Sequence, residues 1–344
     1  MSSLLLALIG AALATNTPAA VSNIVVQSTG ISVTAPNAID PVEKEFKKLE
    51  EDDDAAHAEV DRWIQENLEF RAKGAGVSNA ELNARILKRL GVVQKAYEDF
   101  IQRQPAHVGV RLAYASFLEG MGEEDAALVQ LEKAREIDPK DPAVWNNLAN
   151  HYGHSGHVTN AFDYYAKAIA LNPNEPVYYH NFGTTVYLFR KDAREFYNID
   201  EQQVFDKAMS LYSNAMRLDP TNFVMAADVA QSYYGIRPIR TNDALTSWTN
   251  ALNVAGNDFE REGVYLHLGR WKTTFGRYAE ARALINSVTN ASLIDLKERL
   301  VRNLNERESG TNNVSTTNES DRLPESPGIS PTKTNTTQKI SPKE

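Results

Sequence analysis

Asn147 and Asn181 stand 34 residues apart, and each carries a primary amide. An amide offers one acceptor and two donors, enough to pair with both polar groups of a passing peptide backbone. Asn150 and His154 follow Asn147 by three and seven residues, Thr184 follows Asn181 by three, and His180 lies beside Asn181. In a helix these spacings fall along one face. Asp228 and Gln231, then His267 and Arg270, repeat the spacing further on. The chemistry on offer is reversible hydrogen bonding to an extended polypeptide. The competing reading is a polar face turned to solvent.

Other chemistry is poorly represented. His151, His154 and His157 cluster in HYGHSGH, but the chain has no cysteine and no carboxylate is adjacent. A structural metal site usually takes four ligands, so no metal is expected there. Cysteine-free composition also excludes disulfides, thiol nucleophiles and lipid attachment through a cysteine. No phosphate-cradling glycine loop, nucleophile elbow or H-E-x-x-H pair occurs, so neither enzymatic activity nor a cofactor is expected. A net charge of −9 without a lysine/arginine cluster in the body argues against nucleic acid, which requires a basic face.

The elements that must position these side chains recur at a fixed step. Pro105, Pro139 and Pro173 are 34 residues apart, as are Ala115, Ala149 and Gly183. Gly122 and Gly156, Ala127 and Ala161, Leu131 and Tyr165, and Ala134 and Ala168 keep the same step. Within one copy, Trp145, Leu148, Ala149 and Tyr152 form the apolar stripe of a first helix, and Ala161, Tyr165 and Ala168 that of a second. Gly156 allows the turn between them, and Pro173 ends the second helix. Each pair leaves an apolar flank that another copy must cover, so the copies stack.

The segment Trp145-x2-Leu148-Ala149-x2-Tyr152, Gly156, Ala161-x3-Tyr165, Ala168, Pro173 resembles the tetratricopeptide repeat (TPR), with Ala149 in place of the usual glycine. The resemblance runs from about Ser78 to Val288 and implies an all-α, right-handed TPR superhelix, an α-solenoid with flanking capping helices. It further implies that extended peptides are held by a ladder of asparagines on the concave face. Asn147, Asn150, His154, His180, Asn181, Thr184, Gln231 and Arg270 are the residues expected to contact such a partner. The subtype that clamps a terminal carboxylate is excluded, because Asn146, Val224 and Asp228 occupy the places that need basic side chains.

The organisation expected from these patterns is a signal peptide over 1–14, a flexible linker over 15–39 and an N-terminal capping helix within 40–77. A solenoid follows over 78–289, one degenerate copy and five full ones. The third full copy is 47 residues long, with an insertion at about 190–203 that could serve as a specificity loop. A C-terminal capping helix is expected over 290–305. The Ser/Thr/Asn-rich remainder, 306–344, cannot bury enough apolar surface to order itself. The function expected is a non-catalytic scaffold that binds a protein or peptide on its concave face. The alternative is a structural assembly factor of a cell-envelope secretion or polysaccharide-export complex.

Leu4 to Ala14 reads LLLALIGAALA, too short for the roughly 20 residues that cross a bilayer but suited to the core of a signal peptide. A periplasmic or secreted location is therefore expected over a cytoplasmic one, without an integral membrane segment. The mature protein should start near Thr15. N-terminal sequencing of protein from the native host checks this, and recovery of Met1 would contradict it.

Overall fold

The computed structural model describes residues 40–310; the expected signal peptide, the linker and the tail beyond Gly310 lie outside them. Fourteen α-helices and two short 3-10 turns make up the described residues, which contain no strand. The fold is all-α and of the tetratricopeptide type. The helices are α1 (Pro41–Ala72), α2 (Asn79–Arg103), α3 (Val108–Gly120), α4 (Glu124–Ile137), α5 (Pro142–His154), α6 (Val158–Leu171) and α7 (Pro176–Leu188). They continue with α8 (Arg190–Tyr197), α9 (Glu201–Leu218), α10 (Phe223–Ser232), α11 (Thr241–Val254), α12 (Asp258–Thr274), α13 (Tyr278–Asn286) and α14 (Ile294–Gly310). Two compact units divide these residues, the break falling between Asn181 and Phe182.

Helix ends follow the sequence signals. Asp40 accepts from Val42 N–H ahead of Pro41, and Ser78 accepts from Glu81 N–H. Asp200 and Gln203 form a reciprocal capping box that opens α9. Gly122 and Gly156 turn the chain between paired helices at φ of 79° and 86°, a region costly for a residue with a Cβ.

One bond recurs at the start of each first helix in the first unit. Trp145 Nε1 donates to Pro139 O at 2.9 Å, and Tyr179 OH donates to Pro173 O at 3.1 Å. Arg111, which replaces the aromatic residue in its copy, gives Nε and Nη2 to Pro105 O at 3.1 and 2.7 Å. Three different side chains serve the same carbonyl, the one exposed where the preceding second helix stops. The requirement at this place is a long side chain with a donor at its tip.

Trp145 is consequently half-buried, packed edge-on to Tyr164 at 5.3 Å, rather than the core residue its stripe implies. The fully buried wall of α5 is wider than expected and includes Asn146, Asn147 and His151. Neighbouring copies cover the flanks of a first helix as well as its own second helix does.

The N-terminal segment also differs from expectation. α1 packs on α2, and Asn67 closes their connection by accepting from Val77 N–H at 2.9 Å and donating to Val77 O at 3.4 Å. What reads as a cap followed by a degenerate copy is a helical hairpin. The insertion is not a loop: it forms α8, with Ala193 fully buried and Asn198 in the left-handed region at φ 51°. At the other end α14 continues to Gly310, five residues past the expected boundary, because polar residues on a helix that already buries Leu304 extend it at little cost.

Two glycines of α12 separate packing from propensity. A Cβ on Gly269 would lie 2.6 Å from Ile285 Cγ1, whereas one on Gly263 would meet nothing within 4 Å. Gly263→Ala should stabilise by about 0.5–1 kcal/mol through helix propensity. Gly269→Ala should destabilise, since overpacking at about 1–3 kcal/mol outweighs that gain. Urea unfolding of the two variants decides.

Candidate functional site

The expected contact residues divide into those the fold leaves partly open and those it consumes. In the first unit, His154 is exposed, and Asn150, His180 and Asn181 are half-buried. Asn147 is not available as expected. It is 8% exposed, and its Nδ2 donates to Ala143 O of its own helix at 2.8 Å. Asn181, one repeat on, instead donates from Nδ2 to Asn146 Oδ1 at 3.2 Å, and Asn146 is completely buried. The two residues that define the 34-residue ladder therefore serve different ends. Asn147 braces its helix, and Asn181 ties α7 to α5.

Asn150 is held differently. Its Oδ1 accepts from Tyr165 OH at 2.6 Å, while its Nδ2 has no hydrogen-bond partner among the described residues. Tyr165 sits on α6 and is buried. In the second unit Tyr212 OH donates to Thr184 Oγ1 at 3.0 Å, joining α9 to α7. In the first unit Tyr97 OH donates to Asp53 Oδ2 at 2.7 Å, joining α2 to α1. The second-helix stripe identifies Tyr97, Tyr165 and Tyr212 as core, but it gives no sign that their hydroxyls reach the first helix.

Carboxylates crowd the middle of α1. Burial and then the charge of Asp54 raise Glu50 to about 7, with Glu43 and Asp53 adding to the effect. Burial and then Asp53 raise Asp54 to about 6. Burial opposes the charge on His57, but its bond to Asp53 and that residue's charge outweigh it, and the imidazole is raised overall. His151, from the histidine cluster, is buried and pairs through Nδ1 with Glu119 Oε1 at 3.0 Å. No three His, Cys, Asp or Glu side chains among the described residues are arranged to hold a metal ion.

In the second unit Gln231 is half-buried and Arg270, expected to face a partner, is 8% exposed. The Arg270 guanidinium lies over the Tyr234 ring at 4.6 Å. Tyr234 also stacks on Trp271 at 5.0 Å, and its hydroxyl bonds to His267 Nδ1 at 3.1 Å. His267 lies flat on Trp248 at 4.0 Å. This aromatic cluster, with Arg270 part of it, is core. Its legible sign was the aromatic density of Tyr233-Tyr234 and Trp271, which no single stripe accounts for.

Tetratricopeptide repeat models match residues 108–151 and 142–175. The photosystem I assembly protein Ycf3 of Cyanophora paradoxa is 31% identical over 144 residues, 41% of this chain and 79% of its own length. That of Rippkaea orientalis is 28% identical over 131 residues, 36% of this chain and 76% of its own length. This chain belongs to the tetratricopeptide-repeat family, whose members are protein-interaction scaffolds. Among solved structures, pilF of Pseudomonas aeruginosa is 16% identical, with a TM-score of 0.47 over 75% of this chain and 99% of its own.

His267 gives this region a pH dependence. Burial and then Arg270 depress its imidazole from 6.5 to about 3, so it is neutral in the folded protein. The unfolded chain takes up the proton first. The stability contributed is complete above about 6.5 and lost as pH falls towards 3. His267→Phe keeps the stack on Trp248 and removes the titration. Its unfolding midpoint should decline less steeply than wild type between about pH 6 and 4, as thermal melts across that range will measure.

Proposed function

We propose that this chain holds an extended segment of a protein partner along the first-helix face of its repeats, and that it does so without catalysis. The observation that carries the reading is Asn150. It is half-buried on the row that also bears exposed His154, and its amide nitrogen has no partner among the described residues. A donor placed on a polypeptide-sized row suits a backbone carbonyl. Asn181 and His180 border it on the following repeat. The apolar Leu4–Ala14 segment supports a periplasmic or secreted setting.

The relatives' name favours a second reading of the same chemistry. Both Ycf3 proteins are photosystem I assembly proteins, and a scaffold that grips an extended segment is suited to holding a subunit before it is assembled. On this reading the partner is a subunit of a larger complex, such as a secretion or polysaccharide-export assembly of the cell envelope.

The test begins with dodecapeptides selected on the purified full-length protein from a displayed random library. Asn150→Ala should weaken a selected peptide about five- to thirtyfold, the equivalent of about 1–2 kcal/mol for a lost hydrogen bond. Fluorescence anisotropy supplies the Kd. Wild-type affinity in Asn150→Ala would remove the first-helix face from the binding site.

A further inference from the structure

We propose that Tyr165 is a positioning residue for partner binding. Its hydroxyl holds the Asn150 amide by the oxygen, so that the NH2 edge is a fixed donor for a backbone carbonyl of the bound peptide. The inference rests on the reading of the first-helix face given above and adds the chemical sense in which one of its residues acts.

A tyrosine that is 2% exposed must find a partner for its hydroxyl. Tyr165 finds it on the neighbouring helix at 2.6 Å, at the short end of the range for O–H···O bonds. With the oxygen engaged, the two N–H groups of Asn150 occupy the opposite edge of a planar amide, and nothing described takes them. A side chain ordered before binding loses less freedom when the partner arrives. The lock therefore sets both the direction of the donor and its readiness.

The arrangement is repeated, and the repeats differ in what they leave over. Tyr97 and Tyr165 are separated by two 34-residue steps, and Tyr212 follows at the 47-residue step of the longest copy. Tyr97 holds Asp53, an acceptor, and Tyr212 holds Thr184, whose own O–H remains a donor. Leu131 and Trp248 occupy the same place in two other copies. Leu131 has no polar tip, and Ser116 opposite in the sequence register stays exposed. The Trp248 N–H is buried without an acceptor, and the Gln231 side chain has no hydrogen-bond partner among the described residues. Locking thus depends on the hydroxyl and is confined to the three tyrosine copies.

Tyr165→Phe deletes the hydroxyl and keeps the ring. Measured on the full-length protein with a library-selected dodecapeptide, it should weaken binding about five- to tenfold while the thermal midpoint moves little. The double variant with Asn150→Ala should bind no more weakly than Asn150→Ala alone, since the hydroxyl acts only through the amide. In the free protein the Asn150 side-chain NH2 resonances should shift in Tyr165→Phe. Asn150→Asp presents an oxygen outward instead and should bind more weakly than Asn150→Ala.

Unchanged affinity in Tyr165→Phe, with Asn150→Ala weakened, would overturn the positioning role and leave the binding face standing. Retained affinity in Asn150→Asp would show that the outward edge is an acceptor and would also overturn it. Unchanged affinity in both Tyr165→Phe and Asn150→Ala would instead defeat the reading of the face itself. If Tyr165→Phe lowers the midpoint, the Asn150→Asp comparison decides alone.

Discussion

The closeness of the two helices within a repeat governs the rest of the structure, and it rests on one small residue in each first helix. Ala115, Ala149, Gly183, Ala230 and Gly269 fill this place and are essentially inaccessible. At Gly183 an added Cβ would come within 3.0 Å of the Tyr212 ring, and at Gly269 within 2.6 Å of Ile285. Because the backbone at Gly183 comes so near, the Tyr212 ring crosses it and its hydroxyl reaches the next residue, Thr184. Asn150 likewise follows Ala149 and receives Tyr165. Tight packing and polar positioning are therefore one constraint. A larger residue at the small place would push the second helix away and withdraw the hydroxyl from the first-helix face.

Charge is distributed with the same economy. The second unit keeps His267 neutral between Trp248 and Tyr234, with Arg270 over the tyrosine ring. The first unit gathers carboxylates on α1 and offsets only some of them. Asp53 takes a phenol and an imidazole, whereas Glu50 and Asp54 are raised by burial and mutual repulsion. Charged groups brought together at this density favour folding less as pH rises and the carboxyls ionise. A fold that retains them spends stability at α1, which its aromatic contacts between α2 and α3, such as Tyr97 stacked on Tyr114 at 5.2 Å, help to recover.

A scaffold reading follows from what a repeat can and cannot do. The buried side chains of the described residues are mostly apolar and hold one helix against another, while others, such as Leu87 and Val92, stay exposed. The polar groups on the first-helix rows include amides, hydroxyls and imidazoles, which can hydrogen-bond to a polypeptide.

The sequence by itself determined the class of fold, the length of the repeat, the helix ends and the paired-helix stripes. These depend on local physics: a 3.6-residue period, a proline that cannot continue a helix, a glycine at positive φ, a capping acid. All are read along the chain. It also placed Asn150 with His154, and Asn181 with Thr184, on one side of their helices, since a face is a matter of spacing. What only the tertiary structure decided is which polar groups remain open on that side. Asn147 and Arg270 share the expected face, yet neighbouring copies cover the one and an aromatic cluster takes in the other. Asn150 owes its orientation to a hydroxyl 15 residues away on another helix. The α1–α2 hairpin and the helical form of the insertion belong to this second group too. Each arises where residues distant in sequence share a wall, and periodicity carries no record of which flank a neighbour will cover.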